Sequence, residues 1–167
     1  TPGYEFVRMG QAGSWAPGEE PDIAAGPSGQ LVLAVVKKDG RLFTRTGAIG
    51  SGWSDFHQQG SGGWATASIT VGSDGRYRLL ATKKSGDLYY RIGTPGYEFV
   101  RMGQAGSWAP GEEPDIAAGP SGQLVLAVVK KDGRLFTRTG AIGSGWNDFH
   151  QQGQTGGWST TSASSRH

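Results

Sequence analysis

The chain contains no cysteine. That absence removes disulfides, thiolate zinc sites and thiol nucleophiles together, and it leaves the compartment open because secreted bacterial proteins often lack cysteine too. Long uninterrupted runs are missing as well. No stretch free of both glycine and proline exceeds ten residues, as in Gln30–Asp39, Arg76–Ser85, Gln123–Asp132 and Trp158–His167. An ordinary helix needs ~10–12 residues and a membrane span ~18 or more, so both are nearly excluded. There is no apolar leader segment, and residue 1 is Thr rather than Met, so the start reads as a processed or cut end. Charge of one sign is scarce: 16 Lys and Arg against 14 Asp and Glu leave +2, too little for a nucleic-acid footprint. Catalytic signatures are lacking too, with no HExxH, no GxSxG, no Gly-Lys phosphate loop and no Asp-box. Histidine occurs only at positions 57, 150 and 167. The reading is a protein that is not an enzyme and carries no cofactor or metal.

What the chain has in excess is glycine, 30 of 167 residues against an average of ~7%, and a repeat. Thr1–Trp53 recurs unchanged as Thr94–Trp146 at an offset of 93 residues. The copies differ at Ser54 and Asn147, agree again through Gly60 and Gly153, and part after a one-residue insertion before Trp158. Drift would have scattered substitutions through so long a match, so the duplication is either very recent or designed. A weaker half-period lies inside it. Ile23, Gly26, Gly29, Gly40, Arg45 and Gly47 are matched 46 residues on by Ile69, Gly72, Gly75, Gly86, Arg91 and Gly93.

Each unit of about 46 or 47 residues reads as four strands. The first is Asp22–Gly26 or Ser68–Gly72, and the second is Gln30–Val36, apolar on both faces and therefore covered on both. The third is Arg41–Thr46 or Asp87–Ile92, and the fourth Trp53–Gln59 or Tyr97–Met102. Asp39-Gly40 between the second and third strands predicts a type I′ turn. Repeats of this length, built from short antiparallel strands, point to an all-β fold of propeller blades. The division is a fourth strand and connection in 1–17, blades at 18–63, 64–110 and 111–157, and a first strand in 158–167. Two complete double units would be 20 residues longer, the missing part matching Asp74–Gly93. A lone fourth strand at one end and a lone first strand at the other leave open edges. The expectation is a homo-oligomer, with the terminal strands of different copies sharing a blade.

Tryptophan carries most of the functional signal. Trp53 and Trp146 open fourth strands, where packing between blades is their expected role. Trp15, Trp64, Trp108 and Trp158 fall instead in glycine-rich connections such as Gly60-Ser61-Gly62-Gly63-Trp64. An indole held on a surface loop offers an apolar face with an N–H edge, suited to a sugar ring; closing the seam between blades is the other role open to it. Glu20 and Glu113, with Glu19 and Glu112 beside them, and Lys38 and Lys131, from lysine pairs at 37–38, 83–84 and 130–131, share that rim. The candidate ligand-binding set is thus Trp15, Trp64, Trp108, Trp158, Glu20, Glu113, Lys38 and Lys131. The glutamates also read as a solvated loop rather than a calcium site, and the lysines as guards of strand ends.

The run Pro21-Asp-Ile-Ala-Ala-Gly-Pro-Ser-Gly-Gln-Leu-Val-Leu-Ala-Val-Val-Lys-Lys-Asp-Gly-Arg-Leu-Phe-Thr-Arg45, followed by Gly-Trp53-Ser-Asp-Phe56, resembles blades of bacterial propeller lectins of the Photorhabdus lectin type. Ile69-Thr-Val-Gly-Ser-Asp-Gly75 and Gly86-Asp-Leu-Tyr-Tyr-Arg91 look equally like tectonin and tachylectin repeats. The resemblance implies a sugar-binding protein with glycans as partners, sites in or between blades, and a secreted or extracellular location. Phe43 and Tyr89-Tyr90 stand where the Photorhabdus type has a Trp-rich segment, so no site residue and no fucose preference is carried over. Two other readings accompany it: a structural or engineered propeller fragment that assembles without a ligand, and an accessory domain of a larger hydrolase.

Overall fold

A computed structural model describes residues 8–10, 12–15, 20–93 and 96–153. Among them twelve strands form three separate four-stranded antiparallel sheets. The first holds β1 (Asp22–Ala25), β2 (Gln30–Val36), β3 (Leu42–Ala48) and β4 (His57–Gln59), in that order across the sheet. The second repeats it with β5 (Trp64–Val71), β6 (Tyr77–Lys83), β7 (Leu88–Ile92) and β8 (Val100–Met102). The third has β9 (Asp115–Ala118), β10 (Gln123–Val129), β11 (Leu135–Ala141) and β12 (His150–Gln152). No helix among the described residues is long and apolar enough to cross a membrane.

β2 coincides with the sequence reading, the fourth strands β4 and β8 are shorter than expected, and β5 is longer, starting at Trp64 rather than Ser68. Trp53 and Trp146 precede β4 and β12, each joined only by a bridge, to Gly47 and Gly140. The turn chemistry also differs from expectation. In this loop only Gly40 takes a positive φ, 82°, and among the described residues no non-glycine residue does, whereas type I′ would need Asp39 there too. Asp39 keeps its Cβ out of the left-handed region. Its carboxylate instead accepts the Arg41 N–H at 3.0 Å. The Gly40 N–H bonds the Lys37 carbonyl at 2.8 Å and the Lys37 N–H the Arg41 carbonyl at 2.8 Å. This is a longer hairpin loop in which glycine alone supplies the left-handed step.

The sheets stack face to face in chain order. β5 packs on β1 and β2, and β9 packs on β5 and β6. One core, with Val32, Val36, Leu42, Trp64, Ile69 and Leu79, fills the first seam. A second, with Leu80, Leu88, Trp108, Ile116, Leu126 and Val128, fills the next. Alternation along β6 explains this division: Leu79 and Ala81 point to the first sheet, Leu80 to the third. The second sheet is therefore covered on both faces, which accounts for its continuous apolar runs.

A polar rung crosses all three sheets through their first strands. Asp22 Oδ2 accepts the Ser68 hydroxyl at 2.9 Å and the Ile69 N–H at 2.8 Å. Ser68 Oγ in turn accepts the Ile116 N–H at 3.3 Å and lies 3.2 Å from Asp115 Oδ1. Asp22, Ser68 and Asp115 hold equivalent register positions, opposite Ala34, Leu80 and Ala127.

The duplication allows one face to be compared with itself. Ile23 is 57% exposed and its copy Ile116 is 3% exposed. Leu31 and Leu33 are half-buried where Leu124 and Leu126 are buried. Sequence and strand are the same, so the difference comes from the neighbouring sheet.

Candidate functional site

Two of the connection tryptophans, Trp64 and Trp108, do not stand open. They are 2% and 1% exposed, which, of the two roles open to them, fits closing a seam rather than offering a sugar platform. Trp64 opens β5 itself, and Trp15 and Trp108 bridge to Lys37 and Lys130. Each indole N–H donates to the last carbonyl of the preceding outer strand or its equivalent: Trp15 to Met9, Trp64 to Gln59 and Trp108 to Met102, all at 3.1 Å. The flanking glycines allow display or closure, and here they serve closure. Gly60, Gly62 and Gly63 take positive φ and fold the connection back over the ring.

Beneath each connection the indole meets two further rings of its own sheet. Trp64 lies 5.7 Å from Tyr89 and 4.6 Å from Phe99, and Trp108 lies 6.1 Å from Phe136 and 4.9 Å from Phe149. A lysine covers the ring: Lys83 Nζ sits 4.1 Å from the Trp64 centroid and donates to the Gly62 carbonyl. Its pKa is lowered, chiefly by burial. The lysine on the indole is thus the first of each pair, not Lys38 or Lys131. Those two remain exposed on the rim, with Lys131 Nζ bonding the Ser85 carbonyl at 3.0 Å. Trp15 is half-buried, Glu20 exposed and Glu113 half-buried. Trp158 and Glu19 lie outside the described residues.

Residues assigned to packing also bring aromatic surface to solvent. Trp53 and Trp146 are half-buried. Trp146 meets Tyr90 of the second sheet edge to face, 5.2 Å between centroids. Val100 pairs with Tyr90 across β7 and β8, so both share the face toward the third sheet, and Val100 is 59% exposed. Opposite them Arg138 lies 5.0 Å from the Phe149 centroid and donates Nε–H to the Asn147 carbonyl. Burial lowers the Arg138 pKa, and Asp148 opposes that shift. Its Nη1 reaches Met102 Sδ across the seam at 3.7 Å.

This outer seam therefore joins an indole, a phenol ring, an exposed valine and a guanidinium. The signal in sequence was faint: a tryptophan followed by Ser or Asn, and an arginine between two threonines in the third strand.

The first seam is built differently. Thr44, His57 and Gln59 take the places of Tyr90, Val100 and Met102. There the Arg91 guanidinium, 5.5 Å from Phe99, donates to Gln59 Oε1 at 2.7 Å. The fold so assembled is similar to that of the BP39L lectin from Burkholderia pseudomallei, with a TM-score of 0.72 over 87% of this chain at 15% identity. The likeness is one of fold. This chain spans 44% of that lectin's length. No family model matches the sequence, and no curated protein matches it.

Deeper in the second seam lies an ion pair that, among the described residues, is buried where the Arg41–Asp39 and Arg134–Asp132 pairs of the other sheets are exposed. Arg78, 2% exposed, forms a bidentate pair with Asp74, at 2.5 Å from Nη1 and 2.8 Å from Nη2. Asp74 is held down to about 2, principally by the Arg78 hydrogen bonds. Burial pushes the Tyr90 pKa up, and Arg78 opposes it. For Arg78, burial works to lower the pKa but the bonds to Asp74 and Tyr90 prevail and raise it. Among the described residues no three His, Cys, Asp or Glu side chains gather as metal ligands.

Proposed function

We propose that the chain is a non-catalytic carbohydrate-binding protein of the propeller type, akin to the bacterial propeller lectins that its repeats resemble. The observation that carries the reading is the outer seam of the second and third sheets. A sugar presents an apolar C–H face and a rim of hydroxyls, and Trp146 with Tyr90 and Val100 suits the former while the Arg138 guanidinium suits the latter. The likeness to a lectin in fold supports the same class. On the connection rim, Glu20, Lys38, Glu113 and Lys131 supply polar groups for the outer parts of a glycan and the half-buried Trp15 an apolar edge, while Trp64 and Trp108 stay inside the sheets. Copies of the chain assemble to complete the ring, and repeated weak seams then gain by avidity.

A glycan array followed by titration of the leading monosaccharide tests this. Trp146→Ala is expected to weaken binding by about tenfold, the equivalent of ~1.4 kcal/mol, and Arg138→Ala by at least as much. An array silent to the wild-type protein would overturn the reading, and unchanged affinity in both variants would remove the seam from it.

A further inference from the structure

We infer that Asp74 and Arg78 are positioning residues of the outer seam: through the Tyr90 hydroxyl they hold the phenol ring edge to face with Trp146, and so fix the shape of the apolar surface that a ligand meets. The inference rests on the reading of that seam as the sugar site and deepens it.

The tether starts at the hairpin before β6. Asp74 accepts the Arg76 N–H at 3.2 Å and both ends of the Arg78 guanidinium. Arg78 Nη1 also donates to the Arg76 carbonyl at 2.6 Å, so the group is held from two directions. Gly72 makes room for it. A Cβ there would stand 2.5 Å from Nη1, 2.8 Å from Asp74 Oδ1 and 2.7 Å from the Ile142 side chain arriving from the third sheet.

Register carries the hold to the phenol. Arg78 pairs with Ile92 and Leu80 with Tyr90 across β6 and β7, which makes Tyr90 the diagonal neighbour of Arg78 on one face, within reach of a long side chain. The guanidinium there bonds the Tyr90 hydroxyl. Tyr90 is thereby fixed at its backbone and at its far end, and its ring stands at 84° to the Trp146 indole. The indole in turn lies on Gly140, where a Cβ would come within 2.9 Å of Cε3.

The flanking sheets supply the contrast. They carry Ser28 and Ser121 in place of Asp74, and Val32 and Val125 in place of Arg78. Their hairpins are closed by Gln30 and Gln123, whose side-chain oxygens accept the Ser28 and Ser121 N–H. In the first seam an aromatic again lies on the matching glycine, Tyr77 against Gly93, yet Thr44 stands in the Tyr90 position. Tether and tethered ring therefore occur together, in the same sheet. A buried ion pair adds little stability that apolar side chains would not, whereas an aromatic pair depends on the angle between its rings. What the pair secures is the orientation of Tyr90.

The double change Asp74→Ser and Arg78→Val cuts the tether, strands no charge and keeps the ring, while Tyr90→Phe keeps the ring and loses only the hydroxyl. Two readouts apply. Aromatic NMR of the wild type should show ring-current shifts in the edge protons of the Tyr90–Trp146 pair, which shrink in the double variant. Titration with free glucose, galactose, mannose, fucose and N-acetylglucosamine should show the best of them bound about fivefold more weakly by both variants, the scale of a lost aromatic orientation. Leu79→Val is the control, since Leu79 belongs to the first core on the other face of β6. It should lower the melting temperature and leave both readouts unchanged, and a merely structural ion pair would make the double variant behave like it. Unaltered ring-current shifts or unaltered affinity in the double variant would overturn the inference alone. A wild type that binds none of these sugars would overturn the sugar reading and the inference with it. Should the double variant fail to fold, Tyr90→Phe decides by the same two readouts.

Discussion

Replacing Asp74 by serine separates the cost of breaking the buried ion pair from the worth of having one. The first and third sheets provide the comparison, carrying Ser28 and Ser121, Val32 and Val125, and Thr44 and Thr137 where the second sheet has Asp74, Arg78 and Tyr90. Asp74→Ser strands a guanidinium whose side chain is 3% exposed, and loss of one partner of such a pair costs ~3–5 kcal/mol. The triple change Asp74→Ser, Arg78→Val, Tyr90→Thr copies the flanking sheets. It should fall within ~1 kcal/mol of the wild type or exceed it, since apolar replacement of a whole buried pair is commonly neutral or stabilising. The pH dependence gives an independent reading. The Asp74 carboxyl falls from 3.8 to about 2 in the fold, worth ~2 kcal/mol at neutral pH. Because the folded value is the lower one, that stability is complete above the unfolded value and is lost as pH falls from about 4 towards 2. Urea unfolding at pH 7, 4 and 2.5 should show the wild type losing this increment relative to the triple variant, in which the other carboxylates are shared and cancel. Equal stability of single and triple variants, or parallel acid profiles for wild type and triple, would refute the reasoning.

Trp108→Ala should cost ~3–5 kcal/mol, the usual range for a buried large aromatic, whereas the half-buried Trp146 should cost ~1–2 kcal/mol. Chemical denaturation checks the contrast, which must run opposite to the effect on sugar binding in folded protein. Ser68→Ala should cost ~1–3 kcal/mol, because the Ile116 N–H loses its acceptor inside the stack; hydrogen exchange at Ile116 should quicken alongside.

Much of the architecture was legible because each unit marks its own turns. Gln30–Val36 emerged with the bounds its apolar run implies, and Gly29 and Gly40 close the hairpins on either side of it. Side-chain direction was not legible in the connections. Glycines beside Trp64 permit either an outward or an inward indole, and the Gln59 carbonyl and the Tyr89 and Phe99 rings select inward. Burial at the ends of the stack was hidden for another reason, since Ile23 and Ile116 have identical neighbours in sequence and different ones in space. Arg78 did leave a trace, as a charge between Tyr77 and the apolar run Leu79-Leu80-Ala81 with Asp74 four residues before it. Its meaning required knowing that β6 is covered on both faces.

The identity of the first and third sheets has a consequence for how the chain reaches its native state. Each sheet is local in sequence, so hairpins form early and independently, and the second sheet then selects its neighbours by face. It receives the third sheet on the face bearing Leu80 and the first on the face bearing Leu79. A first sheet from another molecule presents the very surface that the third sheet uses, and only the tether of residues 103–114 gives the proper one precedence. That precedence is an effective concentration, and crowding of unfolded chains erodes it. Exchanged sheets between molecules are the characteristic kinetic trap of such a sequence, and slow, dilute refolding is the condition under which the tether prevails.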